Sequence, residues 1–417
     1  MGWNSLHHNG VYIPSYTYSN TSIVYNNKII KSCSNLNDSL ILFKYISKKY
    51  KNDKIFKQNF INSIQKYLPH VCKDIKSISE LKNEGIKRQI VNEDKEKYKF
   101  CYINGKKEKL ETYYAENACI FIGRGNHPLR GTFKPSVQKA DIVLNMSKTN
   151  KILNEWKNII NENNVNWIAT WKDSVTKKNK YIYPNAASYL RCNDNIEKFD
   201  LARNLKKNLK SIRKKYIFDL KNSDSSKQQH ALAVFFIDKL CIRCGTDDSN
   251  STYGCTTLEC RHINVKNNYV YFDFLGKDSI PFKKSLRVDK YISDLIIVCL
   301  KKKKNTDLLL HHVSSVSLNM YLNSMMNHLT AKVFRTCHAS CLCESLLLSG
   351  TSLTNTFNKI ACLCNHTNAN TSKCNYVDPR ILFAYSKRCS INISNVYSHV
   401  LQEKYNWAKT TGKSFVF

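Results

Sequence analysis

From Phe199 to Tyr216 apolar residues recur every three or four positions. Phe199, Ala202, Leu205, Leu209, Ile212 and Tyr216 form the stripe, and lysines and arginines fill the opposite face. This is the signature of an amphipathic helix, stable only against a second apolar surface. The following stretch, HALAVFFIDKLCIRCG, supplies one: a strongly apolar helix expected to stop at Gly245, a natural residue just past a helix end. Beyond Asp194 the chain is therefore expected to be mainly helical. NNYVYFDFLGKDSIPFK interrupts it as two short strands joined through Leu275-Gly276-Lys277-Asp278, with the lysine at the hairpin tip, and more helices fill 317–364. Asp378-Pro379 reads as the N-cap and first residue of a helix whose apolar face begins at Ile381, Leu382, Phe383 and Tyr385. Tyr376 is expected on the approach to that helix, not inside one.

The first 80 residues mix short extended pieces with a helical pattern from Leu40 to Tyr67. Residues 80–110, charged and polar, read as a solvated helix. From Ala118 the texture turns to strands and loops.

A chain of 417 residues makes two or three domains. Its charge, 65 − 32 = +33, favours a polyanionic partner, either nucleic acid or an anionic membrane. No apolar run approaches the roughly 20 residues of a spanning helix, which leaves nucleic acid ahead. The 17 cysteines are odd in number and irregularly spaced, so a disulfide framework is not expected; buried reduced thiols are. Cys241-x-x-Cys244 lacks the second pair that a zinc site needs.

Five segments carry the candidate chemistry: DKLCIRCG with Arg243, FLGKDS with Lys277, AKVFRTCHAS with Arg335, LCNHTN with His366 and KCNYVDPR with Tyr376. Each residue alone is an ordinary structural one. Together they meet the needs of phosphoryl transfer from DNA to a tyrosine. Guanidinium and imidazole donors stabilise charge on the nonbridging phosphate oxygens. Nearby cations favour the phenolate of a group whose ordinary pKa is about 10. A positioned lysine can protonate the leaving 5′ oxygen. Clustered acidic residues for two metal ions are not evident, and no cofactor is expected.

The set resembles the eukaryotic-type DNA topoisomerase IB family, within the tyrosine recombinase and topoisomerase IB superfamily. IGRGNHPLRG is similar to the family's RGRGNHP segment, and VFFIDKLCIRCG, VYFDFLGKDSI, LTAKVFRT, LCNH and TSKCNYVDPRI follow in family order. GVYIPSY and KIFKQNF resemble its cap. The resemblance implies a nuclear, monomeric enzyme that relaxes supercoiled duplex DNA without ATP or metal. Tyr376 would form a 3′-phosphotyrosyl link, Arg243, Arg335 and His366 would hold the scissile phosphate, and Lys277 would be the general acid. Arg124, Asn126, Asp278 and Asn375 would contact DNA. The implied fold is an α+β multidomain clamp: a mixed α/β cap over 1–185, with a helical part at about 33–80, a mainly helical catalytic domain over 186–368, and a C-terminal segment 369–417 carrying the tyrosine. The family's closing loops correspond to Arg130 and Asp247-Asp248, where an ion pair is expected. Two departures stand out. The family's long charged linker between the histidine and tyrosine segments is missing, and Thr336-Cys337-His338 follows Arg335 where the family usually has an aromatic residue and Asn after the threonine. A tyrosine site-specific recombinase and an inactive DNA-binding paralogue are the alternative readings.

Overall fold

The computed structural model describes residues 2–72, 74–83, 85–91, 94–123, 127–147, 155–245, 252–410 and 417. The chain divides into two compact units, Met1–Arg191 and Cys192–Phe417.

In the first unit the pattern expected as one helix from Leu40 to Tyr67 is broken into Ser34–Tyr45, Lys48–Lys51 and Lys54–Ile64, ending in a 3-10 turn at Gln65–Tyr67. Ile46 takes extended dihedrals and ends the first helix. Asp53 starts the third by accepting from the amides of Ile55 and Phe56 at 2.9 and 3.1 Å. That third helix buries Phe56, Phe60, Ile61 and Ile64. Gly131 crosses it so closely that a Cβ would lie 2.1 Å from the Phe56 carbonyl oxygen. Its φ of +93° is also one that glycine adopts readily. Arg130 donates to both carboxylate oxygens of Asp53, at 2.6 and 3.2 Å, while Asp247 and Asp248 lie outside the described residues.

Residues 80–110 are not the solvated helix their composition suggests. They hold strands at Lys82–Asn83, Lys87–Ile90, Phe100–Ile103 and Lys106–Lys109. Asn104 and Gly105, at φ 50° and 79°, make the two-residue turn whose twist matches a hairpin. Cys101 and Ile103 face inward while Tyr102 stays exposed, so the charged residues need only the outer face. Phe100–Ile103 pairs with Leu6–His8, and a separate four-stranded sheet runs Asn158–Ile160, Val143–Asn145, Ala169–Lys172, Asn179–Ile182 in spatial order. Trp3, Leu6, Ile103, Leu144 and Trp171 share one core.

The long helix Tyr189–Asp219, all but its first three residues in the second unit, buries Phe199, Ala202, Leu205, Ile212 and Tyr216 of the expected stripe and half-buries Leu209. The apolar helix Ser225–Leu240 ends earlier than Gly245, because Cys241 turns left-handed at φ 53°. A three-stranded antiparallel sheet follows in the order Ile263–Lys266, Tyr269–Leu275, Pro281–Arg287. Helices Ala331–Leu348, Leu353–Cys364 and Ala369–Tyr376 pack on one another, and Pro379–Arg388 continues from the last with Asp378 as its cap. One apolar core joins Phe236, Phe272 and Phe334 to Ile360, Val377 and Leu382. Each such side chain contributes roughly 1.5–3 kcal/mol on leaving water.

None of the 17 cysteines is in a disulfide. Among the described residues no group of three or more His, Cys, Asp or Glu is placed to hold a metal ion, and no helix is long and apolar enough to cross a membrane.

Candidate active site

The early end of the Ser225–Leu240 helix determines where Arg243 stands. It lies on an irregular segment beyond the helix, not within it, and the main chain around it is tied down by a neighbouring turn. The Cys255 amide donates to the Arg243 carbonyl at 2.8 Å and the Thr256 amide to that of Cys244 at 2.7 Å. Gly254 permits this approach, since a Cβ there would lie 2.5 Å from the Gly245 Cα.

Arg335 sits in the second turn of Ala331–Leu348 and is 3% exposed. It donates through Nη1 to the Cys241 carbonyl and through Nη2 to the Cys364 carbonyl, the latter at 2.9 Å. Those carbonyls end the helices that precede Arg243 and His366. One guanidinium therefore pins both of its partners' segments.

His366 is delivered by a helix end. Asn365 takes the left-handed conformation at φ 53°, and the His366 amide donates to Ala361 O at 2.9 Å, closing the Schellman arrangement that satisfies the last carbonyls of Leu353–Cys364. The ring then meets both arginines, with Nε2 3.0 Å from Arg243 Nη2 and 3.3 Å from Arg335 Nη2.

Tyr376 departs from the expected placement: it is the last residue of the helix Ala369–Tyr376, not a residue outside one, and it is 7% exposed. Its ring lies 5.3 Å from the His366 ring and 4.9 Å from the Arg335 guanidinium carbon. Ser340 Oγ donates to its carbonyl at 3.1 Å and fixes the helix end.

Lys277 is on the turn between the strands Tyr269–Leu275 and Pro281–Arg287, at the hairpin tip as expected. Gly276 N–H donates to Ile280 O at 2.8 Å, and Asp278 and Ser279 adopt φ of 67° and 58° to close the turn. Lys277 and Asp278 are exposed there. Arg243, Lys277 and Arg335 line one pocket with Cys364 and Asn365. Asn375 is exposed and donates to Thr371 O at 3.0 Å; Arg124 and Asn126 lie outside the described residues.

The electrostatics follow from two arginines in one half-buried site. Burial alone raises the Tyr376 phenol, but the charges of Arg335 and Arg243 overcome it and hold the group below the usual phenol range. Burial, then Arg335, Arg243 and Lys277, push His366 down to about 4, so the ring is neutral at physiological pH.

Two further residues belong to the site. Lys284 Nζ donates to Leu240 O at 3.3 Å and Leu363 O at 2.8 Å, bridging the same two helix ends. Its signal was available: it shares the inward phase of its strand with Phe282 and Leu286. Ser372, one helical turn before Tyr376, is fully buried with Oγ 2.7 Å from His366 Nδ1. It lies inside a motif that identified the tyrosine and has no composition signal of its own.

Three family descriptions match the sequence. "Eukaryotic DNA topoisomerase I, catalytic core" covers residues 187–381, "Eukaryotic DNA topoisomerase I, DNA binding fragment" covers 1–95 and 73–184, and "C-terminal topoisomerase domain" covers 364–417. DNA topoisomerase 1 of Homo sapiens is 26% identical over 97% of this chain and 70% of its own length. DNA topoisomerase 1 beta of Arabidopsis thaliana is 32% identical over 83% of this chain and 41% of its own. DNA topoisomerase I, mitochondrial, of Pan troglodytes is 26% identical over 100% of this chain and 91% of its own. Among solved structures, the XerH site-specific recombinase bound to difH overlays at a TM-score of 0.30 and 18% identity, covering 48% of this chain and 53% of that one.

Proposed function

We propose, for a chain that belongs to the eukaryotic DNA topoisomerase I family, that Tyr376 is the nucleophile of its strand cleavage and that Arg243, Arg335, His366 and Lys277 complete the site. The enzyme is a type IB topoisomerase whose partner is duplex DNA. It relaxes supercoils by cutting one strand, letting the duplex rotate and resealing the cut.

The observation that carries the assignment is the meeting of two guanidiniums on one imidazole beside the tyrosine ring. The phenol loses its proton to water, a step favoured by the two arginine charges. Its oxygen then attacks phosphorus, forming the 3′-phosphotyrosyl bond as the bond from phosphorus to the 5′ oxygen breaks. The Lys277 ammonium gives that oxygen a proton as it leaves. Arg243, Arg335 and His366 donate to the nonbridging oxygens, where charge builds in the transition state. Religation reverses each step: the 5′ hydroxyl returns its proton to Lys277 and displaces the tyrosine. The exposed turn of Lys277 suits a group that must enter a groove, and Asp278 beside it, with Asn375 next to the tyrosine, is suited to contact the strand. Arg124 and Asn126 complete the proposed DNA contacts.

Affinity is phosphate-directed, in keeping with a charge of +33, and falls steeply with salt. One chain carries all five residues, which supports a monomer, and we propose the nucleus as its compartment. The decisive test is relaxation of supercoiled plasmid in excess chelator by the native protein and by Tyr376→Phe. The native chain relaxes the plasmid; the variant binds DNA, forms no covalent adduct and does not. An adduct persisting in Tyr376→Phe, or native activity abolished by chelator, rejects the assignment.

A further inference from the structure

A guanidinium has only N–H donors and no acceptor. Both contacts to His366 Nε2, from Arg243 at 3.0 Å and Arg335 at 3.3 Å, therefore require a lone pair on that nitrogen. In the neutral ring the proton then resides on Nδ1, which faces Ser372 Oγ at 2.7 Å and donates to it. This tautomer is the wrong one for catalysis. To stabilise a phosphoryl oxygen through Nε2, the ring must carry its proton there.

We propose that Ser372 is a positioning residue that holds His366 in either neutral tautomer, so that one ring can accept from two arginines in the empty site and donate to phosphate in the filled one. The inference rests on the reading of the site given above. Its chemistry lies in the hydroxyl. A serine both donates and accepts, whereas a carbonyl or carboxylate at that place would accept only and lock the proton on Nδ1. When an anionic phosphate enters, it draws the guanidiniums to its own oxygens and frees Nε2. The proton then moves to Nε2 by exchange through water, Ser372 rotates its O–H toward Nδ1, and no charge is created on the ring. Two features keep the hydroxyl on its task. Ser372 is fully buried, and it stands four residues before Tyr376 on one helix, so the same contact sets the histidine and the nucleophile in register.

The test is single-turnover cleavage of a duplex whose short 5′ product dissociates and traps the covalent complex. Ser372→Ala should form adduct roughly tenfold more slowly, the weight of one well-placed hydrogen bond, with unchanged duplex binding. Ser372→Thr, which keeps the hydroxyl, should recover to within about twofold. In a His366→Ala background Ser372→Ala should cost nothing further. Native-rate cleavage by Ser372→Ala, or an equal loss with and without His366, overturns the inference. A second readout uses 15N-histidine spectra of Tyr376→Phe, with His366→Ala added for assignment. Nε2 of His366 should change from an acceptor to a donor shift when duplex binds; an unchanged acceptor shift overturns the inference even if Ser372→Ala folds poorly. The two readings separate cleanly. If His366→Ala cleaves at the native rate, the site assignment itself falls and Ser372 with it; if His366→Ala is slow and Ser372→Ala is not, only the role of Ser372 falls.

Discussion

Nη2 of Arg243 stands 3.0 Å from Nε2 of His366, a permanent cation donating to a ring that can itself ionise. The contact opposes protonation of the ring, and the same charge helps to hold the Tyr376 phenol down against its burial. Arg243→Ala should therefore do more than slow the reaction. At neutral pH adduct formation should fall by about a hundredfold or more, the usual loss for one preorganised donor. The pH at which the rate levels off should also move upward, because the phenol has lost one of two cations. A rate profile merely lowered, with its pH dependence unmoved, would show that Arg243 does not act on the phenol.

Lys277 sits exposed on its turn, and the role proposed for it is to protonate the leaving group more than to bind. Lys277→Ala should cleave ordinary DNA slowly and be largely rescued by a substrate with sulfur in the 5′-bridging position, which leaves without a proton. Equal defects on both substrates would remove the general-acid role.

His8 should make the first unit acid-sensitive. It is buried, its Nδ1 accepts from Gly10 N–H at 3.0 Å and its Nε2 donates to Asn145 O at 3.0 Å, so the neutral ring is fully satisfied. Burial pushes its pKa down to about 4 from 6.5. The folded value lies below the unfolded one, so the stabilisation is whole above about pH 6.5 and is lost as the pH falls toward about 4. The full loss is on the order of 3 kcal/mol. Urea unfolding of native protein and His8→Gln at pH 7.5 and pH 5 should show a smaller drop in the variant. An equal drop in both would assign the acid limb elsewhere.

Lys284→Met keeps most of the unbranched side chain but leaves two helix-end carbonyls without a donor. It should cost about 1–2 kcal/mol of stability and slow adduct formation, since the segments after Leu240 and Leu363 carry Arg243 and His366. Lys284→Arg should restore part of both. A Met variant that is less stable yet cleaves at the native rate would make the lysine purely structural.

Strict alternation made the hairpin at Tyr269–Arg287 legible, and the threes-and-fours stripe did the same for the helix Tyr189–Asp219. Asp378-Pro379 marked its helix start for the same reason: the signal was local. What was misread lay where a local signal competed with another. Asn104-Gly105 is a strong turn signal, and it prevails over the charged, polar composition of residues 80–110 that reads as a solvated helix. Cys241 ends its helix without glycine, so the end was set too late. The strong cap after Tyr376 points to an approach segment, while its own helix, Ala369–Tyr376, has almost no apolar stripe and is held by packing on the helices at Ala331 and Leu353. The identities of the five candidate residues were legible; the hydroxyl of Ser372 and the bridge of Lys284 were not, because a contact between side chain and a distant atom leaves no periodicity.

Only Asn365 to Asn368 connect the histidine-bearing helix end to the tyrosine helix, and His366 is itself one of these four. Four residues reach at most about 14 Å even when fully drawn out. A tyrosine on so short a leash cannot be lent to another copy. The consequence is one of genetics as much as chemistry. Tyr376→Phe and Arg243→Ala should fail to complement when mixed or co-expressed, with no activity above that of Arg243→Ala alone, since neither chain can donate its intact half to the other. Every working site is the product of one translation event.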